Sequence, residues 1–104
     1  HAWDDVPEVM DAYLGALSDS RTYAYRWIAR AAKGAVLASK GDETERSLVL
    51  EKAGADPQVL LVLARTEHEL GSKGAAESRA KLLSVAPAAA STNDSKEVFP
   101  WLMA

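Results

Sequence analysis

Apolar residues return at steps of three and four along most of the chain, the spacing that lines one face of a helix. The pattern is clearest from Asp56 to Pro87, which reads as a complete pair of helices. Leu60, Leu63, Ala64 and Leu70 form one face of the first helix, and Arg65, Glu67, His68 and Glu69 are its polar positions. Asp56 is placed to cap that helix, and Pro57 follows where a missing N–H costs nothing. Gly71 supplies the left-handed residue that stops it, and Ser72 is expected to cap the next. The second helix is expected to bury Ala76, Ala80 and Leu83, with Glu77, Arg79 and Lys81 elsewhere, until Pro87 halts it.

The same reading predicts three earlier helices. Asp5, Pro7 and Glu8 form a capping-box start for a helix over 6–18, with Val6, Val9 or Met10, Tyr13, Leu14 and Leu17 on its apolar face. After the polar break Ser18-Asp19-Ser20 a second helix runs to Lys40, with Tyr23, Trp27, Ile28, Ala31, Ala35 and Leu37 available to a core. Gly34 inside it marks a place where another helix comes close. Arg21, Arg26, Arg30 and Lys33 are expected to form a solvated face. Gly41 ends this helix; Asp42 and Glu45 form a capping box for a third, which carries Leu48, Val49 or Leu50, and Ala53 and closes at Gly54. The helical domain thus covers residues 1–87. Residues 88–104 are expected to be a small-residue linker and an apolar tail, Val98-Phe99-Pro100-Trp101-Leu102-Met103, in which Pro100 prevents a continuous helix.

Composition narrows the class. A chain of 104 residues is one domain by size and can bury a core without disulfides or metal. Alanine makes up roughly a fifth of it, which favours closely packed helices. The net charge of −3 removes the broad attraction to phosphate backbones or anionic membranes, so nucleic acid is not the expected partner. No apolar run approaches the ~20 residues of a membrane span. The absence of cysteine excludes thiol catalysis and thiolate metal sites but leaves the compartment open; the cytoplasm is expected, an excised domain or a periplasmic protein being the alternatives.

Catalytic and metal chemistry find no foothold. His1 and His68 have no partner at metal-ligand spacing, and Ser72, four residues after His68, breaks a His-x-x-x-His reading. The acid pairs Asp4-Asp5 and Asp42-Glu43 are accounted for by helix starts. No phosphate loop, nucleophile elbow or Cys/His pair occurs. The expectation is a chain with no catalytic residues, no cofactor and no metal.

The turn glycines Gly41 and Gly71, and the prolines Pro57 and Pro87, are each 30 residues apart, which points to stacked helical hairpins. With Leu63-Ala64, Leu70-Gly71, Ala76, Ala80, Leu83 and Pro87 in register, the stretch from Asp56 to Pro87 resembles the tetratricopeptide repeat family. Trp27 to Pro57 matches it more loosely: Gly34 takes the small position and Gly41 the turn, but Arg46 stands where the family has alanine, and in the later unit Glu67 replaces a usual aromatic.

The resemblance implies an all-helical, right-handed stack of antiparallel hairpins, about five helices plus a C-terminal segment. It also implies a protein-interaction or scaffold module whose first helices line a peptide groove. In that groove it places Gln58, Leu61, Arg65, His68 and Glu69, beside Ala31, Ala35 and Ser39 of the preceding unit. Phe99, Trp101 and Leu102 are expected either to cap the fold or to bind another chain, including a second copy in a dimer. The alternatives from other classes are a DNA-binding regulator built on a helix-turn-helix over residues 68–83, and a non-catalytic helical domain of a larger enzyme.

Overall fold

A computed structural model describes residues 2–16 and 23–85. The expectations for Leu17, Arg21, Pro87 and the tail residues Phe99, Trp101 and Leu102 fall outside the described residues. Within them the chain is all-helical. A 3₁₀ turn at Ala2–Asp5 leads into α1 (Val6–Ala16), followed by α2 (Tyr23–Ser39), α3 (Thr44–Ala53), α4 (Pro57–Leu70) and α5 (Ala75–Val85).

The two hairpin turns are copies of one another. Gly41 and Gly71 both take positive φ, 99° and 66°, a conformation that favours glycine. In each turn the residue after the glycine donates back across the helix end: Asp42 N–H to the Leu37 carbonyl at 3.0 Å, and Ser72 N–H to the Glu67 carbonyl at 2.9 Å. These bonds satisfy carbonyls that a helix end would leave bare. The 30-residue spacing of the glycines therefore extends to their hydrogen-bonding partners. Asp56 caps α4 as its position suggests, its carboxylate accepting from Gln58 N–H at 2.9 Å.

Helix α2 is the hub, packed against α1, α3 and α4, while α4 also carries α5. Ala31 and Ala35 of α2, Val49 of α3, and Val59 and Leu63 of α4 form one fully buried cluster; Leu60 and Ala64 of α4 form another with Leu82 of α5. Burying a leucine such as Leu60 or Leu63 is worth ~1.5–3 kcal/mol. Helices α2 and α4 run side by side in the same direction. Ile28 and Val62 line one cavity towards their N-terminal ends, and Ser39 and Leu70 line another at their C-terminal ends. Helix α1 runs antiparallel to α2, stapled by Lys40 to Asp4 and Lys33 to Asp11, both at 2.7 Å. Gly34 marks a close helix approach, as its position implies: a Cβ there would stand 2.9 Å from the Arg46 backbone nitrogen.

Three local expectations are corrected. Glu45 does not complete a capping box. Asp42 accepts from Thr44 N–H, and Glu45 turns towards α2, meeting Arg30 Nε at 2.6 Å and Lys33 Nζ at 3.8 Å. Arg30 and Lys33 accordingly do not form a solvated face; they tie α1, α2 and α3 together, with the Arg30 guanidinium 4.8 Å from the centre of the Trp27 ring. The third correction is the face of α5. Ser78 and Leu82 are buried, Ala76 and Ala80 are exposed, and Leu83 is half-buried. Helix α5 starts at Ala75 rather than directly after Ser72, its first turn closed by Ser78 N–H to the Gly74 carbonyl at 3.1 Å. The inward position of Ser78 follows from a buried ionic contact that requires its hydroxyl.

Candidate interaction surface

The expected groove is only partly present. Ala31 and Ala35, its alanine floor, are fully buried between α2, α3 and α4 and offer nothing to a ligand. Ser39 is exposed, its hydroxyl donating to the Val36 carbonyl at 2.6 Å. Gln58, Leu61, Arg65, His68 and Glu69 do share one stripe of α4, because their spacing returns to the same helical face while Val59, Leu60, Leu63 and Ala64 occupy the opposite one. Gln58, His68 and Glu69 are exposed, and Leu61 is half-buried against the Leu60 cluster. Arg65 Nε donates to Glu69 Oε1 at 2.9 Å, one turn along, so the stripe presents a paired charge of no net sign.

Two clefts flank the α4–α5 turn. One, of about 470 Å³, has His68, Lys73 and Arg79 around a floor that includes Gly71, Ala75 and Ala76. The other, of about 350 Å³, lies between Ala38 and Ser39 of α2 and Leu70–Lys73. Ser39 and His68 therefore sit on different sides of one turn rather than in one groove. The stripe and the two clefts form a surface of mixed polarity, with Lys73 and Arg79 at the α5 side. Among the described residues no three His, Cys, Asp or Glu side chains gather to hold a metal ion.

A third concavity was not anticipated from sequence. Met10 and Tyr13 of α1, Tyr25, Ile28 and Ala32 of α2, and Val62 of α4 enclose about 360 Å³ with almost entirely apolar walls. Tyr13 and Ile28 are core candidates by periodicity; the small Ala29 and Ala32 of α2 line the same space.

Sequence reasoning also missed a buried polar cluster. Glu67 has no solvent exposure although it belongs to the run of polar residues on α4. Its Oε1 accepts from Arg46 Nε at 3.2 Å and from Ser78 Oγ at 2.9 Å, while Arg46 Nη2 donates to Ser78 Oγ at 3.1 Å and approaches Glu77 at 3.6 Å. Glu67 Oε2 is buried without a hydrogen-bond partner. The signal was present as two misfits to the repeat pattern, Arg46 for an alanine and Glu67 for an aromatic; each misfit is the other's partner.

No protein-family model, curated protein or solved structure matches the chain.

Proposed function

We propose that the chain is a protein-interaction module of tetratricopeptide-like stacked hairpins, which binds a peptide segment of a partner across the α4 stripe and the clefts beside it. The observation that carries this reading is the duplication of the hairpin turn, with α2 and α4 side by side and parallel. An array of such hairpins presents its first helices as one continuous face. Here that face carries the exposed Gln58, His68 and Glu69 with the half-buried Leu61 and Arg65. The contact between Gly34 and the backbone of Arg46 supports it further, since these are the positions the repeat reserves for a small residue and its packing partner.

The test is selection of peptides from a displayed random library on the full chain, followed by calorimetric titration of the selected peptide. Arg65→Glu reverses a central charge of the stripe and is expected to weaken binding by about tenfold or more. Undiminished affinity in Arg65→Glu and His68→Glu would overturn the assignment of the surface.

A further inference from the structure

Helix α1 is an incompletely covered element. Of its eleven residues none is buried, and the apolar side chains Val9 and Tyr13, one turn apart, are 55% and 42% exposed. Tyr25 of α2, beside Tyr13 on the groove wall, is 56% exposed. Among the described residues these are three of the four large hydrophobic side chains left open to solvent. Tyr13 and Tyr25 line the apolar groove between α1, α2 and α4. A helix this short is held by packing rather than by its own propensity, and an open patch of aromatic and aliphatic side chains marks a surface meant to be covered.

The same chain contains a segment with the matching chemistry. Val98, Phe99, Trp101, Leu102 and Met103 place five large apolar side chains in six residues, and Pro100 prevents a continuous helix through them. Twelve residues, 86–97, separate the end of α5 from this segment, and they span up to ~40 Å when extended. The molecule measures 37 Å along its longest axis, so an extended tether is comparable in length to the whole molecule. That tether is small and polar, AAASTNDSKE in its main part, and has no apolar face of its own to bury.

We infer that Val98–Met103 seats in the groove between α1, α2 and α4 of its own chain. It covers Tyr13 and Tyr25 there and fixes α1 to the hairpin stack. This site is separate from the α4 stripe, and its occupation does not depend on the stripe binding a peptide.

The chain has no cysteine, which makes a disulfide trap clean. Two paired variants of the full chain are oxidised mildly: Tyr25→Cys with Leu102→Cys, and, as reference, Ala80→Cys with Leu102→Cys. Both helix positions are exposed, and Ala80 is nearer to Leu102 along the chain, so tethering alone favours the reference pair. Seating in the groove predicts an intramolecular disulfide for the Tyr25 pair that forms about tenfold or more faster than for the reference, at a rate independent of protein concentration. Tyr13→Cys with Leu102→Cys is expected to behave like the Tyr25 pair and guards against a local effect of one substitution. Equal rates for the test and reference pairs would overturn the inference. Cross-linking predominantly between two molecules would overturn it as well, by assigning the groove to a second copy.

Discussion

Arg46 Nε meets Glu67 Oε1 at 3.2 Å in the interior, joining α3 of the first hairpin to α4 of the second, with Ser78 of α5 bonded to both. The contact ties three helices, α3, α4 and α5, through buried polar groups. Its two charges are largely out of water, so its value lies in their mutual presence: without Arg46, Glu67 is a buried, uncompensated ion, and without Glu67, Arg46 keeps the longer ionic contact to the exposed Glu77.

Arg46→Ala or Glu67→Ala is therefore expected to destabilise the fold by ~3–5 kcal/mol in urea or guanidinium denaturation. Replacing both together, Arg46→Met with Glu67→Leu, is expected to cost less than either single change. A double replacement as damaging as the sum of the singles would show that the two charges are not coupled.

The glycines divide into two kinds. A Cβ on Gly74 would stand 2.5 Å from Glu67 Oε2 and 3.0 Å from Arg46 Nη2, and one on Gly34 would press on the Arg46 backbone at 2.9 Å. Gly34→Ala and Gly74→Ala are each expected to lower stability by ~1–3 kcal/mol. Gly15 of α1 has nothing within 4 Å of its Cβ position, and Gly15→Ala is expected to raise stability by up to ~1 kcal/mol. Thermal melts of the three variants check the order, and a Gly34→Ala protein as stable as Gly15→Ala would refute the close approach of α2 and α3.

Acid should loosen the α1 end. The hydrogen bond and charge of Lys40 hold the Asp4 carboxyl below its ordinary value of 3.8. A depressed carboxyl contributes stability that is present above 3.8 and is lost as the pH falls through the lower, folded-state value. Asp4 is exposed, so the contribution is small and salt reduces it further. Melting temperatures followed from neutral pH downwards are expected to fall less steeply below 3.8 in Asp4→Asn than in the parent chain at low salt. Parallel curves would remove the clasp from the account.

Helix existence and most helix ends were legible in the sequence, because they depend on short-range chemistry. Asp56 capping Gln58 N–H, the left-handed glycines at 41 and 71, and the apolar faces of α2 and α4 are each decided by residues a few positions apart. The orientation of α5 was not legible. Periodicity offered Ala76 and Ala80 as the inner face, but Ser78 is drawn inward by Glu67 and Arg46, eleven and thirty-two residues away. A polar residue reads as exposed until its partner is known, and the same blindness hid Glu67 itself and the part of Lys33 that reaches Asp11. Of the expected groove, the α4 stripe was readable from one helix. The burial of Ala31 and Ala35 was not, since it depends on how closely α3 and α4 approach α2.

The central claim, that the α4 face is the recognition surface, is tested most directly by mapping amide chemical shifts in the full chain on titration with a library-selected peptide. The account predicts that the largest changes fall on Gln58, Leu61, Arg65, His68 and Glu69 and continue into Gly71–Lys73. Changes confined to the outer faces of α3 and α5, with the α4 stripe undisturbed, would contradict it.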